Sequence, residues 1–139
     1  MTAPRLKDRR ILIVDDDEDI LASIDLALRT EGATTHTVTD GTTAVTASHA
    51  GFDAVVLDMM LPGRSGFLVL EKLKDRDRPP VVVMITANQG KRHMAYAKDL
   101  GVDAYLVKPV PLTRLIDTIA ELLENPPEKE PAPPPENED

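Results

Sequence analysis

Five side chains that can do chemistry together follow short apolar runs of this sequence. Asp15 and Asp16 follow one run, Asp58 ends a second, Thr86 ends a third and Lys108 follows a fourth. Such runs are typical of buried strands, and ligands of a parallel sheet bind beyond the carboxyl ends of its strands. We therefore expect three carboxylates, one hydroxyl and one ammonium to meet at one edge of a sheet.

The charges of this set predict its chemistry. Two carboxylates about 4 Å apart repel by roughly 4 kcal/mol at an effective dielectric near 20, so a cation is expected among them. An oxygen-only set of ligands suits Mg²⁺. Asp58 can then attack phosphorus to form an acyl phosphate, while Mg²⁺ and Lys108 neutralise the phosphoryl oxygens and Thr86 donates a hydrogen bond.

Taken singly, these residues have simpler explanations. In "DDDED", the residues Asp17, Glu18 and Asp19 are expected to cap a helix, because acids are favourable beside the free N–H groups of a helix N-terminus. Lys108 alone would be interpreted as a surface lysine, and Thr86 alone as a local cap. Their shared position at successive strand ends favours the functional interpretation.

The elements that must hold these residues alternate along the chain. Five runs predict strands: Ile11–Val14, Thr35–Val38, Ala54–Leu57, Val81–Ile85 and Ala104–Val107. The second run is the most polar and is expected at an edge. Apolar residues at helical spacing lie between the first and second runs and after the fifth, which predicts a helix in each place. Residues 42–50 and 89–100 are weaker helix candidates. We predict an α/β fold: a doubly wound, five-stranded parallel sheet in a flavodoxin-like (βα)5 three-layer sandwich.

Composition limits the classes of function. The 139 residues suit one domain, there is no cysteine, and no apolar run is long enough to cross a bilayer, so membrane insertion is not expected. The charged N-terminus lacks the apolar core of an export signal, which predicts a cytoplasmic protein. The net charge of −8 argues against direct nucleic-acid binding. We expect a flexible N-terminus at 1–8 and a disordered Pro/Glu-rich tail or linker at 125–139.

Several competing motifs fail at single positions. An EF-hand that starts at Asp15 would need glycine and glutamate where Ile20 and Leu26 stand. A phosphatase of the haloacid dehalogenase type would need a second aspartate where Met60 stands. The segment "GRSG" is too short for a dinucleotide or P-loop fingerprint. The three histidines have no metal-ligand spacing and are expected to face solvent.

Four segments carry a resemblance to a known family. The segments "ILIVDDD", "VVLDMMLPGRSG", "MITA" and "DAYLVKPV" occur in this order. They resemble the signature segments of the response-regulator receiver domain of two-component signalling, and the resemblance covers residues 9–124.

The resemblance implies a role for each matching residue. Asp58 would be the phospho-acceptor, and Asp15 and Asp16 the acidic pair that binds Mg²⁺ together with Asp58 and the backbone carbonyl of Met60. Thr86 and Tyr105 would be the switch residues. Lys108, before a cis Pro109, would contact the phosphoryl group. Position 60 and Asn88 occupy positions that vary in the family.

We therefore predict a phospho-acceptor module that takes a phosphoryl group from a phosphohistidine onto Asp58 and changes a protein-binding face. The partners would be a sensor histidine kinase or a histidine phosphotransfer protein, and an unknown downstream protein effector. Enzymatic activity would be limited to Mg²⁺-dependent self-phosphorylation and autodephosphorylation. The alternative is a Mg²⁺-dependent phosphatase with an aspartyl-phosphate intermediate. Whether the chain is a complete single-domain regulator or a receiver cut from a larger protein stays open.

Overall fold

A computed structural model describes residues 3–87 and 90–126 of the chain, in which strands and helices alternate. The strands are β1 (Arg10–Val14), β2 (Thr34–Val38), β3 (Ala54–Asp58), β4 (Val81–Thr86) and β5 (Ala104–Val107). The helices are α1 (Glu18–Thr30), α2 (Gly41–Ser48), α3 (Gly66–Lys74), α4 (Lys91–Asp99) and α5 (Leu112–Glu124). The predicted alternation is confirmed, and Asp58 and Thr86 are the last residues of their strands.

The five strands form one parallel sheet in the order β2-β1-β3-β4-β5. The strand order switches sides at β1, because β2 lies on one side of it and β3 on the other. Doubly wound sheets bind ligands at this switch point, between β1 and β3. β2 lies at an edge and is mostly exposed, as its polar sequence predicts. The flavodoxin-like three-layer fold is confirmed.

Both faces of the sheet are buried at its centre, because every β1 and β3 residue except Arg10 is buried. Alternate residues of these strands contribute to two separate apolar clusters. Ile11 and Ile13 pack with α1 and α5, whereas Leu12 and Val14 pack with α2 and α3. This two-sided burial explains why the strands are continuous apolar runs rather than alternating ones.

The two helices with the clearest apolar stripes begin and end where local signals place them. The Asp17 side chain accepts hydrogen bonds from the backbone N–H groups of Asp19 and Ile20, so its predicted role as a cap of α1 is confirmed. Gly32 follows the helix with φ +92, a conformation that favours glycine. In α5, Leu115 and Ile119 are buried as expected, but Leu112 is exposed because it lies at the start of the helix, beyond the core.

A segment before β1 packs on the domain. Leu6, which lies in the predicted flexible N-terminus, is completely buried, and its N–H donates to the carbonyl of Glu31 at 2.9 Å. The Arg5 guanidinium pairs with Asp117 of α5. Residues 4–8 thus connect the end of α1 with α5.

Three sequence predictions fall on residues outside those described: the role of Asn88, the start of a helix at Gln89, and the tail from residue 127 onward. Within 3–87 and 90–126, no helix has the length and apolar character needed to cross a bilayer.

Candidate functional site

Strand register brings the predicted residues to one edge of the sheet. Val14 pairs with Leu57, and Asp58 pairs with Ile85, so the residues that follow β1 and β4 lie on either side of the Asp58 backbone. The N–H of Lys108 donates to the carbonyl of Thr86 at 2.7 Å, which holds the residue after β5 at the same level. The expected convergence is observed.

Three carboxylates form an acidic cluster at this edge. One carboxylate oxygen from each of Asp15, Asp16 and Asp58 lies within 4.8 Å of the others. Asp15 and Asp58 are buried, with 0% and 4% of their surface exposed, whereas Asp16 is exposed. The cluster is therefore open to solvent at Asp16.

Backbone groups fix the orientation of the two buried carboxylates. Asp15 Oδ1 accepts a hydrogen bond from the N–H of Asp17 at 2.9 Å, and Asp58 Oδ1 accepts one from the N–H of Met60 at 3.3 Å. Each carboxylate thus binds the N–H two residues later in its own loop, as aspartate often does at a turn. One oxygen of each carboxylate remains directed towards the shared space.

Lys108 joins the two buried carboxylates. Its Nζ lies 3.0 Å from Asp15 Oδ2 and 3.3 Å from Asp58 Oδ2, and its side chain is 19% exposed. One ammonium therefore partly neutralises two carboxylates that are 43 residues apart in sequence.

The charges shift the pKa values of both partners. Burial raises the pKa of Asp58, repulsion from Asp15 adds to this effect, and attraction to Lys108 opposes it. Burial by itself lowers the pKa of Lys108, but hydrogen bonding to Asp15 and attraction to both carboxylates outweigh burial and raise it. Lys108 is therefore firmly charged, and one ammonium does not fully compensate the carboxylates.

The acidic cluster fits a metal ion. Asp15 Oδ2 is completely buried, and the ammonium that lies 3.0 Å from it is shared with Asp58, so its charge is only partly compensated. A buried carboxylate whose charge is only partly compensated destabilises the folded protein. A cation among Asp15, Asp16 and Asp58 would remove this cost.

The two predicted switch residues contact each other. Thr86 is completely buried at the end of β4, and Tyr105 lies on the neighbouring strand. Burial raises the pKa of the Tyr105 phenol, and a hydrogen bond from Thr86 opposes that shift. The phenol also donates to Met59 Sδ at 3.9 Å. Because Thr86 ends the strand beside Asp58, its hydroxyl connects the edge of the sheet with Tyr105.

Gly66 is a positioning residue that the sequence analysis missed. A Cβ on Gly66 would lie 2.3 Å from the carbonyl oxygen of Asp58 and 2.6 Å from Met59 Cα, which no side chain can occupy. The Gly66 N–H instead donates to the carbonyl of Met59 at 2.8 Å. The first residue of α3 thereby packs on the backbone that carries Asp58. The second glycine of "GRSG" is Gly66, and its lack of a side chain permits this contact.

One histidine departs from its expected solvent-facing role. His36 and His49 are exposed as predicted, but His93 of α4 is half-buried and stacks on Phe67 of α3 with ring centroids 5.9 Å apart. Tyr96 contacts the same ring edge-on at 4.9 Å. These aromatic contacts connect α4 with α3.

A groove with a volume of about 450 Å³ is lined in part by Lys108. It lies between α1 and the start of α5. Its walls are mainly apolar and include Ile20, Ile24, Pro109 and Leu115. The Lys108–Pro109 peptide bond at its edge is cis, as the resemblance implies.

Comparison with known proteins identifies the family. Residues 11–120 match the model of the response regulator receiver domain. The chain belongs to this family. It is 39% identical over 114 residues to the sensory transduction protein RegX3 of Mycobacterium tuberculosis, covering 81% of this chain and 50% of that protein. The transcriptional regulatory protein TcrA of the same species is 42% identical over 112 residues, covering 80% and 44%. The chain thus spans about half the length of these curated relatives.

Solved receiver domains have the same fold. A CheY-like receiver domain protein from Methanospirillum hungatei aligns with a TM-score of 0.79 at 30% identity, covering 85% of this chain and 95% of that one. The BeF3-activated DrrB receiver domain aligns with a TM-score of 0.78 at 27% identity, covering 84% and 98%. The chain is therefore a receiver domain of the kind found in response regulators of two-component systems, and a phosphatase is not favoured.

Proposed function

We propose that Asp58 is the residue that takes the phosphoryl group. The observation that carries this assignment is the contact of Lys108 with Asp58 inside the acidic cluster. Asp58 is the carboxylate that ends a central strand and has both an ammonium at 3.3 Å and two further carboxylates within 4.8 Å. Asp15 shares the ammonium but is completely buried. Asp16 is exposed and forms no such ion pair within the part of the chain that the structure describes.

In the proposed reaction, a carboxylate oxygen of Asp58 attacks the phosphorus of a phosphohistidine on a partner protein. A P–O bond forms as the P–N bond breaks, and the donor imidazole leaves with the bonding electron pair. Lys108 neutralises negative charge on the phosphoryl oxygens, and Thr86 can donate its hydroxyl to one of them. Hydrolysis of the acyl phosphate by water restores Asp58, so the module's own activity is self-phosphorylation and autodephosphorylation.

We assign the acidic cluster to Mg²⁺. The carboxylates of Asp15, Asp16 and Asp58 and the backbone carbonyl of Met60 would hold it, and all of these ligands are oxygens. When bound, the ion supplies positive charge that offsets the carboxylates and the transferred phosphoryl group. The buried charge of Asp15, which shares its one ammonium with Asp58, supports this assignment.

We propose that phosphorylation changes a switch face built from α4, β5 and α5. A phosphoryl group adds about −1.5 to −2 charge and strong acceptor oxygens. Thr86 would turn its hydroxyl towards these oxygens and release its hydrogen bond to Tyr105. One hydrogen bond contributes about 1 to 3 kcal/mol, whereas a full reversal from 1:99 to 99:1 needs about 5.5 kcal/mol, so Thr86 contributes only part of the switch.

The proposed partners follow from the same geometry. A sensor histidine kinase or histidine phosphotransfer protein would dock in the apolar groove beside Lys108, because Lys108, which contacts Asp58, also lines that groove. The downstream effector would be a protein that binds the switch face, and no direct nucleic-acid contact is proposed for this acidic chain. A cytoplasmic location stays a prediction from the charged N-terminus and the lack of cysteine.

The domain boundaries are also a proposal. We assign the receiver to residues 9–124 and a tail or linker to residues 125–139 on composition. The burial of Leu6 supports including residues 4–8 as a segment that packs on the receiver rather than a free N-terminus.

Phosphoryl loading tests the proposed function. Protein incubated with Mg²⁺ and acetyl phosphate should gain one phosphoryl group per chain by mass spectrometry, and Asp58→Asn should gain none. Asp17→Asn is a matched control, because asparagine also caps helices and Asp17 lies outside the cluster. A phosphoryl group found elsewhere in Asp58→Asn would contradict the assignment, and turnover of a phosphoester in large excess over protein would favour a phosphatase.

A further inference from the structure

The methionines of the described residues differ sharply in exposure. Met59 and Met84 are buried, with 2% and 0% of their surface exposed, and Met94 is half-buried. Met60 is 67% exposed. Oxidation of methionine by peroxides depends on access to the sulfur, so Met60 is the side chain of this group that should react first.

Met60 also lies next to the proposed phosphoryl site. Its backbone N–H donates to Asp58 Oδ1 at 3.3 Å. Because Met60 is two positions after Asp58, the Cα atoms of the two residues lie no more than about 7 Å apart. The adjacent Met59 is buried instead, and its sulfur contacts the Tyr105 phenol. Met60 is therefore an exposed side chain on a residue whose backbone binds the Asp58 carboxylate.

We propose that Met60 is a site of oxidation by peroxides, and that its sulfoxide shortens the lifetime of the phosphoryl group on Asp58. The second part rests on the proposed function. In the modification, the thioether sulfur takes one oxygen atom from hydrogen peroxide. The O–O bond breaks, an S–O bond forms, sulfur is oxidised by two electrons and the peroxide is reduced to water.

The effect on lifetime follows from the change in polarity. Hydrolysis of an acyl phosphate needs a water molecule in line with the phosphorus, opposite the Asp58 oxygen. A thioether is a weak acceptor that excludes water, whereas a sulfoxide carries a polar oxygen that can accept a hydrogen bond from that water. One such hydrogen bond would accelerate hydrolysis about fivefold, which corresponds to about 1 kcal/mol in activation free energy.

The test compares each protein with and without peroxide. The protein is treated with hydrogen peroxide, the peroxide is removed, and peptide mass spectrometry locates the sulfoxide. Treated and untreated samples are then loaded with acetyl phosphate and Mg²⁺, and the decay of the phosphoprotein is followed after the donor is removed. We expect sulfoxide at Met60 and decay about fivefold faster in the treated wild type.

Three variants and one enzyme make the test specific. In Met60→Leu, which keeps an apolar side chain but cannot be oxidised, peroxide should not change the decay rate. In Met94→Leu, peroxide should still accelerate decay. Untreated Met60→Gln carries a side-chain carbonyl at the position of the sulfoxide oxygen and should show faster decay than untreated wild type. Methionine sulfoxide reductase should restore the slow decay of the treated wild type.

The outcomes separate this inference from the proposed function. Sulfoxide found mainly at Met59 or Met84, or equal decay in treated and untreated wild type that has loaded one phosphoryl group, would overturn the inference and leave the proposed function intact. Acceleration by peroxide that persists in Met60→Leu would overturn it as well. An untreated wild type that takes up no phosphoryl group would overturn both.

Discussion

Replacement of Asp58 by asparagine should stabilise the metal-free protein. Asp58 is 4% exposed, and burial together with repulsion from Asp15 raises its pKa despite the attraction of Lys108. The charged carboxylate is therefore a net cost to the folded state. Asparagine has nearly the same shape and removes the charge, while its side-chain oxygen can still accept the hydrogen bond from the N–H of Met60.

The magnitude follows from three opposing contributions. At an effective dielectric near 20, repulsion between Asp58 and Asp15 oxygens no more than 4.8 Å apart is at least about 3.5 kcal/mol. Attraction between Asp58 and Lys108 at 3.3 Å is about 5 kcal/mol. Attraction exceeds this minimum repulsion by about 1.5 kcal/mol, which is less than the several kcal/mol that burying the charge costs, so burial decides the sign. We expect a gain of about 1 to 2 kcal/mol in the free energy of unfolding, or about 4 to 8 °C in Tm.

The gain should depend on pH in a defined direction. Because the folded-state pKa of Asp58 is raised above its ordinary value of 3.8, the folded state holds this proton more tightly than the unfolded chain does. The loss of unfolding free energy caused by the charge on Asp58 is therefore absent below pH 3.8. It is complete above the folded-state pKa. The advantage of Asp58→Asn should be full near neutral pH and should disappear as the pH falls towards 3.8.

Urea unfolding of the wild type and Asp58→Asn in EDTA, at several pH values, measures this difference. Asp16→Asn is the matched control: its carboxylate belongs to the same cluster but is exposed, so its effect should stay within about 0.5 kcal/mol. Saturating Mg²⁺ should reduce the advantage of Asp58→Asn, because the ion stabilises the wild-type cluster. An asparagine variant that is less stable than the wild type at neutral pH would refute the reasoning.

Three further predictions concern other parts of the molecule. Met60→Asn should accelerate loss of the phosphoryl group severalfold, since a polar side chain can orient water; unchanged decay after donor removal would contradict this. Thr86→Ala should still load a phosphoryl group but should weaken the change in amide exchange that beryllofluoride causes on the switch face; the absence of any change there in the wild type would refute the proposed switch. Leu6→Ala should lower the free energy of unfolding by about 2 to 4 kcal/mol in urea titrations, because Leu6 is completely buried; a loss below about 0.5 kcal/mol would show that the N-terminal segment does not stabilise the domain.

The sequence by itself determined the alternation of strands and helices and the residues at the strand ends. Both depend on local patterns: apolar runs predict buried strands, and charged or hydroxyl residues after them predict a polar edge. Asp15, Asp58 and Lys108 could therefore be selected before any contact between them was known. The polar run Thr35–Val38 likewise predicted an edge strand, which the sheet order confirms.

Tertiary structure alone decided how these residues act on one another. The Lys108 ammonium contacts both Asp15 and Asp58 because strands that are distant in the chain are placed precisely beside one another. No local sequence pattern encodes the distances between those side chains. The need for glycine at position 66 arises because α3 packs on the backbone of Asp58, and the burial of Leu6 arises because α1 and α5 leave an apolar gap that it fills. Residue types set which chemistry was available, whereas the packing of separate elements set the distances on which charge, burial and pKa depend.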